Sequence, residues 1–255
     1  VVEVLERNRE IISARAGKEI EVKYILDLKD FSGQKIQEKI VHEYDIILND
    51  EEVEIVVEAM GGIEPAYTYV KNALLAGKSV VSSNKALVAK YGAELMKIAR
   101  EKHVNFLFEA SVGGGIPILR ALGSSLTGDE IEKITGILNG TTNFILTLME
   151  NENLDFDEAL SIADGLGYVE ANPALDLDGI DAAHKICILA QNGYQKFVDF
   201  DQIQASGIRN VSKLDMDYAK KLGYRFKMIA QAKPVKDGLG IDVSATLVNL
   251  NELVA

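Results

Sequence analysis

Residues 53–85 read VEIVVEAMGGIEPAYTYVKNALLAGKSVVSSNK and decide the fold class of the first part of the chain. Two nearly continuous apolar runs, at 53–60 and 79–82, flank a helical pattern over 64–76. Continuous apolar strands that alternate with helices are typical of a parallel sheet that is covered on both faces. We therefore predict an α/β, Rossmann-like parallel sheet.

The same alternation continues on both sides of this segment. Upstream, a helical pattern over 1–15 leads to an apolar strand over 20–27 that ends on an acid. Downstream, Asn84 opens a helix that runs to about Lys102 and leads to a strand over 104–109. The G-x-G-x-x-G fingerprint of dinucleotide-binding folds is absent before the first helix. We therefore expect the nucleotide domain to be incomplete, lacking its first strand and glycine loop.

Four features follow the predicted strands at their carboxyl ends, where ligands bind in open parallel sheets. They are Asp27, Gly61-Gly62, Asn84-Lys85 and the glycine-rich turn over 109–115. An acid in the position of Asp27 often bonds the adenosine ribose, but it could equally cap a loop. The turn could bring its backbone close to a ligand or an ion, because glycine adopts conformations closed to other residues. It could also be a plain linker between domains.

Beyond this turn the pattern becomes α+β. A helical segment over 116–123 precedes a strand-like segment over 130–138, and residues 139–142, NGTT, open an apolar helix. Further helices are predicted over 155–166 and 215–222, and further strands over 205–208, 227–233 and 240–247. We expect these strands to form one mixed sheet. The chain is accordingly divided into a nucleotide-binding domain over 1–115 and a substrate-binding and dimerisation domain over 116–255.

Residues 165–185, GLGYVEANPALDLDGIDAAHK, combine several carboxylates with one lysine. Pro173 argues against regular helix in the first half, and Asp178 is a suitable N-cap for a helix in the second. Asp181 and Lys185 then lie four residues apart on one helical face. Such a pair is usually an exposed salt bridge of small worth. Behind an irregular acidic loop, it could instead form a pocket that holds an ammonium group while the lysine handles a proton.

Composition excludes several classes of protein. The 255 residues carry a net charge of −12, which argues against a nucleic acid or an anionic membrane as partner. The sequence has one cysteine, Cys187, and therefore no intrachain disulfide. The three histidines have no ligand-like spacing, so a zinc site is not expected. With no apolar run long enough to span a bilayer and no secretory signal, we expect a cytoplasmic enzyme.

Several segments together resemble homoserine dehydrogenase. They occur in that family's order over almost the whole chain: VVEAMGGIEPA, SSNKALVAKYGAEL, FEASVGGGIPILRAL, GILNGTTNFIL and GYVEANPALDLDGIDAAHK. The resemblance implies an oxidoreductase that interconverts L-homoserine and L-aspartate 4-semialdehyde with NAD or NADP. It serves threonine, methionine and isoleucine biosynthesis. The resemblance also implies a homodimer or higher homo-oligomer, joined through the sheets of the second domain.

The resemblance assigns roles to individual residues. Lys185 matches the acid/base lysine, and Lys85 a second functional lysine near the nicotinamide and the substrate. The implied substrate-binding residues are Glu170, Asp176, Asp181, Gly140 and Thr141. The implied cofactor-binding residues are Asp27, Gly61, Gly62, Lys85 and Gly167. A monovalent cation, Na⁺ or K⁺, would be held by main-chain oxygens of Glu109, Val112, Gly114 and Ile116.

Three alternatives stay open from the residues alone. Asp27 would favour the unphosphorylated ribose of NAD, whereas Lys29 could meet the 2′-phosphate of NADP. An aldehyde-oxidising enzyme that forms a thioester would need a reactive cysteine, and Cys187 falls on the apolar face of its helix. The chain could also be a non-catalytic, dimerising fragment that is unable to bind nucleotide.

Overall fold

The computed structural model describes residues 1–29, 31–169 and 172–255. The helices are α1 Val2–Arg7, α2 Arg9–Ala16, α3 Tyr44–Leu48, α4 Ala66–Leu75, α5 Lys85–Glu101, α6 Gly140–Glu152, α7 Phe156–Gly165, α8 Ala174–Leu177, α9 Ile180–Tyr194 and α10 Lys213–Lys221. The strands are β1 Ile25–Leu26, β2 Ile40–Val41, β3 Ile55–Glu58, β4 Ser79–Ser82, β5 Phe106–Leu107, β6 Ile134–Gly136, β7 Gln204–Ala205, β8 Tyr224–Val235 and β9 Gly238–Asn249. None of the helices in these residues is long and apolar enough to cross a membrane.

The first part of the chain contains parallel strands, which confirms the predicted fold class. Strands β3, β4 and β5 form one parallel sheet, and β1 pairs with β2 in a second. Helices α4 and α5 pack against the larger sheet. Its opposite face leaves Ile55, Val57 and Leu107 between 46% and 56% exposed. The prediction that both faces are covered is therefore wrong, because α1 and α2 bury none of their side chains.

Two predicted elements near the N-terminus are shorter than their patterns suggested. The helix predicted over 1–15 is interrupted at Asn8, whose φ of −107° and ψ of 18° are not helical. Asparagine is a poor helix former, since its side chain competes for backbone hydrogen bonds. The strand predicted over 20–27 is reduced to Ile25 and Leu26, because only these two residues pair with β2.

The second part forms the expected mixed sheet. Its strand order is β6-β8-β9-β7, with antiparallel β6-β8 and β8-β9 pairs and a parallel β7-β9 pair. Helices α6, α9 and α10 pack on this sheet. The helical segment predicted over 116–123 begins later than expected, and Ala121–Ser125 is a π-helix.

Helix α9 joins the two parts of the molecule. It packs against α5 on one side and against β8 and β9 on the other, and buries Ile186, Cys187 and Ala190 completely. In the last turn of the helix, Gln191 Nε2 donates to the carbonyl oxygen of Ala89 in α5 at 3.0 Å. The last turn of α9 is thereby held against the second turn of α5.

The corner between α8 and α9 differs from its prediction in two ways. Residues 174–177 form one helical turn, since Pro173 stands at the N-cap, where its missing donor costs nothing. Asp178 does not cap α9; the N-cap is Gly179, with φ of +83°, and Asp178 Oδ1 instead accepts from Arg209 Nε at 2.6 Å. The left-handed conformation at this corner favours glycine over aspartate.

Candidate active site

The carboxylate of Asp181 is the centre of a buried polar cluster in the first turn of α9. Its side chain is 6% exposed. Oδ2 accepts from Lys185 Nζ at 2.6 Å and from Asn139 Nδ2 at 2.9 Å, while Oδ1 pairs with Lys85 Nζ at 2.8 Å. The Asp181–Lys185 pair is therefore no exposed helical salt bridge, which removes the simpler of the two interpretations of its spacing.

The surroundings of Asp181 keep it ionised. Burial alone would raise the pKa of this carboxyl group. Hydrogen bonds from Lys185, Lys85 and Asn139, together with the charge of Lys185, outweigh burial and lower the pKa below its ordinary value. A buried carboxylate with this many donors is a stable negative charge between the two lysines.

Lys185 is held at two points. Besides Asp181, its ammonium group donates to the main-chain oxygen of Leu138 at 2.8 Å. An ammonium group has three N–H donors. These two contacts, both within the described part of the chain, leave one donor for a further partner. The side chain is 21% exposed, so its tip is accessible to a small molecule.

Lys85 reaches the same carboxylate from the other part of the chain. It is the first residue of α5, directly after the N-cap Asn84 at the carboxyl end of β4. Its side chain is 43% exposed. Lysines from the two parts of the molecule thus meet on one buried acid.

Asn139 is a site residue that the sequence analysis did not single out. Its Nδ2 donates to Asp176 Oδ1 at 2.7 Å and to Asp181, while its Oδ1 caps α6 by accepting from Thr142 N at 2.9 Å. The NGTT segment was interpreted as a helix start, which is correct. The second function of the same side chain depends on residues about 40 positions away, which no local pattern indicates.

The predicted substrate-binding residues lie around this cluster. Asp176 shares Asn139 with Asp181, and Gly140 is the first residue of α6. Thr141 Oγ1 donates to the main-chain oxygen of Tyr168 at 3.0 Å, which brings the loop after α7 to the start of α6. Gly167, predicted to bind cofactor, has φ of +78° in this loop and directly precedes Tyr168. Glu170 lies outside the described residues.

The predicted nucleotide-binding residues are not gathered into one cluster. Asp27 follows β1, and its Oδ1 accepts from Lys29 N at 2.9 Å, so it caps its own loop. Gly61 and Gly62 follow β3; Gly62 has φ of +78° and accepts at its carbonyl oxygen from Asn84 Nδ2 at 2.6 Å. Capping the loop leaves Asp27 Oδ2 for another partner, and its ribose role stays a prediction.

The turn predicted to bind a cation has a tightly folded backbone. The carboxylate of Glu109 accepts from the main-chain N–H groups of Leu119 and Arg120 at 2.9 and 2.8 Å. Gly113 and Gly114 have φ of +80° and +56°. Within the described residues, the main-chain oxygens of Val112, Gly114 and Ile116 accept no hydrogen bond. Gly114 and Ile116 are exposed, and the cation site stays a prediction.

Cys187 and His184, both on α9, are packed against neighbouring residues of the protein. Burial raises the pKa of Cys187 to about 11, and its Sγ contacts the carbonyl oxygen of Ala89. A buried thiol with a raised pKa is a poor nucleophile, which argues against the thioester-forming alternative.

His184 stacks on Phe200 at 4.3 Å, and burial and the charge of Lys85 lower its pKa. No group of three or more His, Cys, Asp or Glu in the described residues is arranged to hold a metal ion.

Comparisons with known proteins point to one family. Residues 117–255 match the family model described as homoserine dehydrogenase, and residues 1–109 match its NAD-binding domain model. A homoserine dehydrogenase of Lactococcus lactis subsp. lactis is 39% identical over 95% of this chain. The chain spans 58% of the length of that relative.

Solved structures agree in fold. A homoserine dehydrogenase from Thiobacillus denitrificans superposes with a TM-score of 0.93 at 40% identity, over 99% of this chain and 59% of its own. A hyperthermophilic archaeal homoserine dehydrogenase mutant in complex with NADPH gives 0.74 at 29% identity, over 97% of this chain and 68% of its own. Both parts of the chain, and the cluster that joins them, thus fall within one set of relatives, and the chain belongs to the homoserine dehydrogenase family.

Proposed function

We propose that this protein interconverts L-homoserine and L-aspartate 4-semialdehyde by hydride transfer with NAD or NADP. The observation that carries the proposal is the ionised, buried Asp181, which fixes Lys185 and Lys85 from the two parts of the chain at 2.6 and 2.8 Å. This arrangement provides positive charge and a proton where an alkoxide would form.

The proposed roles follow from the contacts. Lys185 donates a proton from Nζ to the substrate oxygen in the reduction and takes it back in the oxidation. Asp181 and the Leu138 carbonyl orient that nitrogen throughout. Asp176, held by Asn139, binds the amino group of the substrate, together with Glu170. Gly140 and Thr141 add contacts from the start of α6.

The bound dinucleotide supplies or accepts the hydride. We assign its binding to Asp27 after β1, to Gly61 and Gly62 after β3, to Lys85 and to Gly167. The support is their position at the ends of parallel strands, or beside the substrate cluster in the case of Gly167. Na⁺ or K⁺ is proposed at the main-chain oxygens of Glu109, Val112, Gly114 and Ile116, three of which have no other described partner.

We further propose that residues 1–115 bind the nucleotide and residues 116–255 bind the substrate and dimerise. The support for dimerisation is the long β8-β9 hairpin, which leaves Val235 and Leu247 almost half exposed at 47% and 46%. Analytical ultracentrifugation should give twice the chain mass, and a monomer at all concentrations would contradict this part. The cytoplasmic location stays a prediction.

The direct experiment adds L-homoserine and either NAD or NADP to the protein and follows the absorbance of the reduced nicotinamide. We expect turnover with at least one of the two. L-2-aminobutyrate, which lacks the hydroxyl group, is the matched control and should give none. Reduction of neither dinucleotide would contradict the proposed activity, and failure to bind either dinucleotide as well would favour the non-catalytic fragment.

A further inference from the structure

Glu58, the last residue of β3, is a buried carboxylate outside the cluster around Asp181. It is 5% exposed and forms no ion pair with any residue that the structure describes. Its Oε1 accepts from Met60 N at 2.7 Å, and its Oε2 accepts from Ser82 Oγ. A carboxylate is expensive to bury without a counter-charge, so its partners need an explanation.

The partners of Glu58 lead directly to the start of α5. Ser82 Oγ accepts from Asn84 N at 3.0 Å, and Asn84 Nδ2 lies 3.5 Å from Glu58 Oε1. The same Nδ2 donates to the carbonyl oxygen of Gly62 at 2.6 Å, while Asn84 Oδ1 caps α5 at Leu87 N. One carboxylate therefore connects the turn after β3, the end of β4 and the first turn of α5.

The groups around Glu58 require a hydrogen-bond acceptor at this position. Three donors converge on Glu58, from Met60, Ser82 and Asn84, and a carboxylate can accept from all of them. A glutamine would turn an NH₂ group toward one of these donors. The positive end of the α5 dipole, at Asn84, further favours a negative charge here.

Lys85 is the next residue along the chain. Its side chain is 43% exposed, and its only ion pair in the described residues is with Asp181 on a different part of the molecule. That ion pair therefore depends on where the backbone of α5 places Lys85 relative to Asp181. That backbone is the segment that Glu58 fixes through Ser82 and Asn84.

We propose that Glu58 is a positioning residue: it holds the first turn of α5 so that Lys85 stays on Asp181, at a fixed distance from the Gly61-Gly62 turn. The catalytic meaning of this placement rests on the proposed function. The position of Lys85 itself does not depend on the proposed function, and it can be measured without turnover.

The first test is the reactivity of Lys85 toward trace acetic anhydride, read by mass spectrometry. Lys90 is the internal reference, since it lies on the same helix and is 41% exposed. Glu58→Gln should raise the Lys85/Lys90 labelling ratio roughly 2- to 10-fold, which corresponds to the net worth of one hydrogen bond. Glu64→Gln, which changes an acid bonded only to Thr68 among described residues, should leave the ratio unchanged. An unchanged ratio in folded Glu58→Gln would overturn the proposal.

If Glu58→Gln does not fold, Ser82→Ala gives the same test, because it removes one link and keeps the carboxylate. The second test combines Glu58→Gln with Lys85→Ala. Alone, Glu58→Gln should lower kcat by roughly 10- to 100-fold with little change in KM for homoserine, as expected for a misplaced group. Added to Lys85→Ala, it should lower kcat no further. If the two substitutions lowered kcat independently, so that their effects multiplied, the proposal would be overturned. Absence of turnover in the unmodified protein would contradict only the proposed function, and the labelling test would then decide the role of Glu58.

Discussion

The regions around Asp181 and Asp27 differ in how deeply the carboxylate is buried and in which parts of the chain bond to it. Asp181 is 6% exposed and is bonded by side chains from α5, α9 and the N-cap of α6. Asp27 is half-buried after a strand of two residues and caps its own loop at Lys29. The proposed substrate side is therefore held together by side chains from three helices, whereas the proposed ribose contact follows a strand of only two residues. Changes around Asp181 should affect both catalysis and stability, and changes at Asp27 should affect binding alone.

The largest effect is expected from Lys185→Ala. Removing the proposed proton donor should lower kcat by roughly 10²- to 10⁴-fold, the usual worth of a positioned acid or base. KM for homoserine should change less, since Asp176 and its neighbours remain. Lys185→Arg should restore little, because guanidinium does not release its proton in this pH range. Near-normal turnover of Lys185→Ala would remove Lys185 from the mechanism.

Asp181→Asn should lower the free energy of unfolding by about 1–3 kcal/mol, the range for a buried hydrogen-bonded charge. The measurement is urea unfolding at neutral pH. Asp178→Asn is the matched control, because Asp178 pairs with Arg209 on the surface with both side chains nearly half exposed. That control should change stability by less than about 1 kcal/mol. Equal losses in the two variants would contradict the difference between buried and exposed acids.

The same carboxylate predicts a pH dependence of stability. The pKa of Asp181 is lowered in the folded protein, so the unfolded chain takes up its proton first as the pH falls. The stabilisation is complete above the ordinary value of 3.8 and is lost as the pH falls through the lower, folded value. The difference in unfolding free energy between the unmodified protein and Asp181→Asn should therefore be constant above that value and shrink below it. A difference that grows on acidification would be contrary to this assignment.

A smaller effect is expected at Asp27. Asp27→Asn should weaken the binding of NAD by roughly 10-fold, the worth of one hydrogen bond to a charged group, with little effect on unfolding. Dinucleotide fluorescence titration measures it, and Asp45→Asn, an exposed acid in α3, is the control. Stronger binding of NADP in the Asp27 variant would support the ribose contact, and unchanged affinity for both dinucleotides would leave Asp27 as a loop cap only.

The smallest effect concerns the turn after β5. If its main-chain oxygens hold a monovalent cation, Na⁺ or K⁺ should stabilise the protein by about 1 kcal/mol relative to tetramethylammonium at equal ionic strength. Thermal unfolding and turnover in the three salts check this. Identical behaviour in all three would remove the cation site and leave the turn a connection between domains.

Local features of both regions were predictable, and distant contacts were not. The β4 strand, the Asn84 cap and the i,i+4 spacing of Asp181 and Lys185 depend on neighbouring residues, and each is found as predicted. The role of Asn139 depends on the start of α6 lying against α8 and α9, which carry Asp176 and Asp181. The role of Glu58 depends on the pairing of β3 with β4. No pattern along the chain indicates such contacts.

The predictions that the structure contradicts also concern features that depend on distant parts of the chain. Asp178 has a good capping side chain, but the corner requires a left-handed residue, and the cap is Gly179. The strand over 20–27 is apolar enough, yet it extends only as far as β2 offers partners. Coverage of both sheet faces was inferred from apolar strands, whereas it depends on which helices pack there.

The most direct test of the central claim, proton transfer by Lys185, is chemical rescue of Lys185→Ala by small primary amines. An amine that enters the space left by the side chain can bond to Asp181 and the Leu138 carbonyl as Lys185 does. The account predicts that kcat rises with amine concentration, that amines of different basicity give different rates, and that Asp181→Asn in the same background abolishes the rescue. Amine-independent turnover at the level of the unmodified protein would contradict the claim.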